Sequence, residues 1–183
     1  GVLSFKTIYS WIHRGFLAVT EKVLRRKGKK PGTQEKRGRF NVKKTIKDRP
    51  QEVENRETFG HWELDTMVSS RGQSKGCLAT FVERKTRFYI AIKMDDRSKD
   101  SMFLAISSLY NTLTSKLLKT FTVDRGKEFT CFEQVETEFG IPMYFADAYA
   151  AWQRGSNENS NGLLREFFPR KTNLAKLTLD KLT

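Results

Sequence analysis

Cysteine is scarce in this sequence. Only Cys77 and Cys131 occur, 54 positions apart, and neither has a second Cys or a His at ligand spacing. That excludes a structural zinc site and a disulfide scaffold, and leaves two free thiols of a reducing compartment as the expectation. Histidine is scarcer in chemical terms: His61 has no partner His at metal spacing and reads as a structural residue. No apolar run approaches the roughly 20 residues that a bilayer span needs, and no signal-peptide pattern opens the chain. The expected location is cytoplasmic, with no membrane partner.

Acidic residues are also short, 21 against 34 Lys and Arg, for a formal net charge of +13. The imbalance is local. Residues 14 to 49 hold fourteen basic and three acidic residues, so +11 of the +13 lies there and +2 is spread over the rest. A concentrated basic segment favours a polyanionic partner, and nucleic acid is the commonest one. Within it Arg25, Arg26, Lys29 and Lys30 are the densest cluster and the candidate DNA contacts. A solvated linker without a specific partner is the alternative.

In chain order, residues 3 to 13 read as a short amphipathic helix with Phe5, Ile8 and Ile12 on one face, Ser4 as N-cap and Gly15 closing it. It is either the last helix of a helix-turn-helix or a packing helix. From Thr20 to Glu57 the chain is basic, poor in aromatics and broken by Gly28, Pro31, Gly32, Gly38 and Pro50, which predicts a linker. Strand patterns follow over 61 to 68, 77 to 84 and 88 to 94, joined by short turns as in an antiparallel meander. Then come a helix over 98 to 113, a strand over 117 to 123, a helix over 132 to 139, a strand over 143 to 146, and a helix from 156 to 168 stopped by Pro169. A meander continued by strand-helix-strand crossovers predicts an α/β domain of about 120 residues, a mixed five-stranded sheet flanked by helices.

Three acids stand out against this pattern. Asp65 lies inside a strand, where alternation puts Trp62, Leu64 and Thr66 on one face and Glu63, Asp65 and Met67 on the other. A carboxylate on a buried strand must be paired or hold a cation. Asp124 follows directly on the fourth strand, and Gly126 lets the chain turn away. Glu158, with 33 residues between it and Asp124, opens the last helix with Asn161 and Arg165 on the same face. Acids at a strand, a strand end and a helix suit hard divalent cations such as Mg²⁺. Blander readings remain at this point. Asp124 could be a turn former, Glu158 a complement to the helix dipole and Asp65 a surface residue, while Glu63, Glu128 and Asp147 are rival ligands.

The surroundings of these acids narrow the choice. Gly60-His61-Trp62-Glu63-Leu64-Asp65-Thr66, Val82-Glu83-Arg84-Lys85-Thr86-Arg87, Asp124-Arg125-Gly126-Lys127-Glu128-Phe129, Tyr144-Phe145-Ala146-Asp147 and the run from Trp152-Gln153-Arg154-Gly155 to Arg165 appear in that order. Together they resemble the catalytic-core motifs of bacterial insertion sequence 30 family transposases, from about Ser4 to Leu174. That family consists of DDE enzymes with a ribonuclease H-like, retroviral-integrase-like core. The chain departs from its pattern at Arg125, where family members often have Asn, and at Ala148-Tyr149, where they often have Pro-Tyr.

The resemblance implies a DNA transposase with Asp65, Asp124 and Glu158 as catalytic acids and metal ligands. Two Mg²⁺ or Mn²⁺ ions would be bridged by Asp65, with Asp124 and Glu158 completing one site each, for in-line attack on a phosphodiester. DNA, as element terminal repeats and target, would be the partner, and synapsis of two ends implies a homo-oligomer. Lys127, Arg154 and Arg165 are the candidate phosphate contacts in the core. Trp152 and Tyr149 are candidates either for stacking on an unpaired base or for packing. The expected organisation is a helix-turn-helix remnant over 1–19, a basic linker over 20–57, the catalytic core over 58–175 and a truncated tail over 176–183. A ribonuclease H-like nuclease without strand transfer, or an inactive DNA-binding fragment, are the alternatives.

Overall fold

The computed structural model describes residues 3–20, 42–69, 74–147, 150–170 and 172–177. The chain divides into two units, residues 1–36 and 37–183. In the first, helix α1 (Phe5–His13) starts where sequence placed it: the Ser4 hydroxyl accepts from the Lys6 N–H at 3.3 Å. It ends through Gly15 at φ 72°, with the Gly15 N–H on the Ile12 carbonyl and the Phe16 N–H on the Trp11 carbonyl. That pair of bonds satisfies two of the carbonyls in the last turn of the helix and needs a left-handed residue, which glycine supplies without strain. Arg25, Arg26, Lys29 and Lys30 lie outside the described residues.

The second unit is built on five strands: β1 (His61–Val68), β2 (Cys77–Glu83), β3 (Tyr89–Met94), β4 (Thr120–Val123) and β5 (Met143–Phe145), in the order β3-β2-β1-β4-β5. The meander is antiparallel, while β4 and β5 add in parallel to β1 and to each other. A parallel pair cannot be closed by a tight turn, so α3 (Lys99–Thr112) carries the chain from β3 to β4 and α4 (Phe132–Phe139) from β4 to β5. A last helix, α5 (Gly155–Phe167), follows. This is the mixed, helix-flanked sheet that the sequence predicts.

Period-2 alternation sorts β1 between two apolar clusters. Trp62 and Leu64 pack with Phe81, Phe121 and Val123 against Met102, Ile106 and Leu109 of α3 and Val135 of α4. Met67 faces the other way, with Leu78, Leu174 and Leu177, against Leu164 and Phe168. Each fully buried Leu or Phe contributes on the order of 1.5–3 kcal/mol, so the first cluster holds most of the stability. No helix among the described residues is long and apolar enough to cross a membrane.

Two local expectations change. The fourth strand begins at Thr120 rather than 117, because residues Ser115–Leu117 form a 3-10 turn that offers the Leu117 carbonyl to the Trp62 indole N–H at 2.8 Å. The stretch read as linker up to 57 is, from Val42 onward, attached to the sheet. Thr45 bridges Phe145 in parallel, Arg49 donates to Thr122 Oγ1 at 3.1 Å, and a five-residue helix, α2 (Gln51–Asn55), buries Val53 completely. One apolar residue in a short charged helix carries no periodic signal, so composition read the segment as solvated.

Candidate active site

Strand pairing decides what lies beside Asp65. The β1–β4 register runs His61↔Thr120, Trp62↔Phe121, Glu63↔Thr122. Two residues further on, the same register sets Asp65 level with Asp124, on the same face as Glu63 and Thr122. Adjacent strands are only about 4.8 Å apart, so the two carboxylates are neighbours.

A cation already lies between them. The Arg154 guanidinium, 14% exposed, donates to Asp124 Oδ2 at 3.2 Å and to the Leu64 carbonyl at 3.3 Å, and stands 3.6 Å from Asp65 Oδ1. Arg154 ends the 3-10 turn Ala151–Arg154 that leads straight into α5. Sequence makes it a candidate phosphate contact; the fold turns its side chain toward the acids. Burial pushes the Asp65 carboxyl above its ordinary range, while Arg154 and the Thr66 N–H pull it back and the Asp124 charge adds to the rise.

Both acids are oriented from the backbone and from α5. Asp65 Oδ1 accepts from the Thr66 N–H at 2.8 Å, and Oδ2 accepts from Asn161 Nδ2 at 3.1 Å. Asn161 is itself aimed by the Tyr89 hydroxyl, which donates to Asn161 Oδ1 at 2.9 Å. Asp124 Oδ1 accepts from the Gly126 N–H at 2.8 Å. Gly126 has an ordinary φ of −68°, so the turn does not require its freedom. What requires glycine is space: a Cβ there would lie 2.8 Å from Asp124 Oδ1 and 2.5 Å from Glu128 Oε2.

The three rival acids are held by other partners. Glu63, 1% exposed, is ion-paired to Arg84 and accepts from the Asn157 N–H at 3.0 Å. Glu128, 2% exposed, accepts from Arg97 Nε at 2.6 Å and from the Thr66 hydroxyl at 3.1 Å. Burial opposes the charge on Arg97, but Glu128, with Asp124 and Asp65 behind it, more than reverses that and raises its pKa. Asp147 and Gln153 exchange two hydrogen bonds, at 2.8 and 3.1 Å. Glu63 nonetheless matters to the site, because its bond to Asn157 docks the first turn of α5 onto β1.

Glu158 is exposed in that same turn. At roughly 100° per residue it lies about 60° around the helix from Asn161 and about 20° from Arg165, beside the stripe that meets the sheet. Among the described residues, no group of three or more His, Cys, Asp and Glu is arranged to hold a metal ion. Asp65 and Asp124 do fit a hard cation: both are carboxylates, and both already face one shared positive group. The remaining sequence candidates separate cleanly. Lys127 is exposed beside Asp124. Arg165 is a brace, donating to the Val68 carbonyl at 2.8 Å and the Phe168 carbonyl at 3.4 Å. Trp152 is 77% exposed, so it does not pack, and Tyr149 lies outside the described residues. His61 is structural, 1% exposed with its two ring nitrogens each 2.9 Å from a hydroxyl, of Thr58 and Thr120. Tyr89 and Arg97 were missed because nothing in local spacing ties them to acids that only the sheet brings near.

Comparison with known proteins bears on the family and the fold. Over residues 55–151 the chain matches the family model described as integrase core domain. It is 33% identical, over 99% of its length, to a probable transposase for the insertion-like sequence element IS1161 of Streptococcus salivarius, and 36% identical over 86% to the transposase InsI of insertion sequence element IS30A of Escherichia coli. It spans about half the length of these curated relatives, 52% and 41% respectively. Among solved structures, the HTLV-2 integrase catalytic core domain in complex with magnesium (dimeric form) superposes with a TM-score of 0.51 at 17% identity, covering 67% of this chain and 79% of that one. At that identity the likeness speaks for the ribonuclease H-like fold. With more than half of its residues matching the model and transposases of insertion elements among its relatives, the chain belongs to the integrase core domain family.

Proposed function

We propose that the chain carries the catalytic part of a DNA transposase, which cleaves and joins phosphodiester bonds at the ends of an insertion element. The observation that supports this best is the Asp65–Asp124 pair, set level on adjacent parallel strands and facing one shared cation, with the first turn of α5 docked beside it. In this reading Asp65, Asp124 and Glu158 are the catalytic acids and would hold two Mg²⁺ or Mn²⁺ ions, Glu158 from the exposed flank of α5. The ions would supply charge neutralisation and Lewis acidity for in-line displacement at phosphorus.

The protein's own part is orientation and charge. Asn161 and the Thr66 N–H hold both oxygens of Asp65, the Gly126 N–H holds Asp124, and Glu63 fixes the start of α5. Lys127, exposed beside Asp124, meets a backbone phosphate, and the basic stretch with Arg25, Arg26, Lys29 and Lys30 tracks DNA without reading sequence. Residues 58–175 form the catalytic core in this reading, acting on terminal-repeat and target DNA in the cytoplasm as a homo-oligomer that brings two ends together.

The test is Asp124→Asn. Mg²⁺-dependent cleavage and joining of terminal-repeat DNA should be lost, while salt-sensitive DNA binding stays within about twofold of the parent. Loss of binding together with no metal-dependent chemistry in the parent would refute the enzyme reading.

A further inference from the structure

Arg154 occupies a place that the proposed chemistry cannot share. Its guanidinium stands 3.2 Å from Asp124 Oδ2 and 3.6 Å from Asp65 Oδ1. A magnesium ion would need the same oxygens at about 2.0–2.1 Å. A guanidinium at its present distance and an ion at that one overlap in space and repel in charge. The arginine is also not a surface group that happens to lie near. Its side chain is 14% exposed, and a third contact, to the Leu64 carbonyl at 3.3 Å, anchors it to the strand that carries Asp65.

Its position in the chain matters as much as its contacts. Arg154 is the last residue of a 3-10 turn and directly precedes α5, whose first turn carries Glu158. If the guanidinium leaves, the turn that precedes the helix is freed at the point where the third acid must approach. The neighbouring Trp152 is 77% exposed, so the turn has open space to move into.

We propose that Arg154 is a built-in counter-cation that competes with a divalent ion for the Asp65–Asp124 pair: it neutralises the two carboxylates, gives them up when a divalent ion binds, and so couples metal loading to the position of the α5 N-terminus. This deepens the metal-site reading above and rests on it. Arg154 is here a positioning residue and competes with the metal rather than helping to bind it.

The test is Mn²⁺ affinity, read from the free-ion signal in electron paramagnetic resonance on the full chain without DNA. Competition predicts that Arg154→Gln binds Mn²⁺ about tenfold more tightly than the parent, equivalent to 1.4 kcal/mol. Arg154→Lys, whose compact ammonium cannot span both carboxylates, should fall between the two. Circular dichroism checks the fold of each variant, and if the Gln variant does not fold, the Lys variant decides by the same direction of change. Affinity unchanged or weakened in the folded variant, with binding abolished in Asp124→Asn, overturns the counter-cation and leaves the metal site standing. Undiminished Mn²⁺ binding by Asp124→Asn overturns the metal site and the counter-cation together.

Discussion

Removing Arg84 should cost more stability than any exposed charge in the molecule, and the reason can be worked from its surroundings. Glu63 is 1% exposed on β1 and has two partners, the Arg84 guanidinium and the Asn157 N–H at 3.0 Å. Arg84 has a 5% exposed side chain and also donates from Nε to the Val53 carbonyl at 3.1 Å. Burial pulls the Arg84 pKa down and Glu63 pulls it back. Arg84→Met would leave a buried carboxylate with one backbone donor, which costs about 3–5 kcal/mol. Against a total stability of about 5–15 kcal/mol, that is about a fifth or more of the fold. Changing both, Glu63→Gln with Arg84→Met, removes the buried charge and keeps an acceptor for Asn157. The double variant should therefore lie within about 2 kcal/mol of the parent, a coupling of at least 1 kcal/mol between neighbouring sites. Urea unfolding of the four proteins measures the cycle. Additive single costs, or an Arg84→Met penalty under about 1 kcal/mol, would refute the reasoning.

Two further outcomes follow from the same contacts. Burial holds the His61 imidazole below its usual 6.5, so below that pH the unfolded chain takes up a proton that the folded chain resists. Stability should thus fall as pH drops from about 6.5 toward the folded value, and His61→Gln should flatten the difference between urea midpoints at pH 7.5 and pH 5.5. Lys127 and Arg165 should separate in DNA binding: Lys127→Ala should lower the slope of log affinity against log salt by about one, whereas Arg165→Met, which removes a brace to the Val68 and Phe168 carbonyls, should leave the slope unchanged and lower the melting temperature.

Much of this molecule is legible in order along the chain. The apolar and β-branched run over 61 to 68 marked β1 to the residue, and the apolar period over 132 to 139 marked α4, because both signals are local. Alternation along that run singled out Asp65 as a charge on a buried strand. It also placed Asp65 and Glu63 on one face, where both are found, yet it could not say that Glu63 is tied up by Arg84 while Asp65 meets Arg154. Glu128 and Gly126 make the same point. One is a buried anchor for Arg97 and the other a gap between two carboxylates, and neither role has a signature in spacing.

What the sequence alone determined was the order of elements, the exceptional position of Asp65, and, through its motifs, the family. Those depend on residues within a few positions of one another. What only the tertiary structure decided was the company each acid keeps. The parallel pairing of β1 with β4 joins residues nearly sixty positions apart and sets Asp65 level with Asp124. The turn before α5 then brings Arg154 to both from a further thirty positions on. Charge is long-ranged and indifferent to chain order, so whether an arginine meets DNA, braces a helix or faces two carboxylates is settled by the sheet that assembles around it.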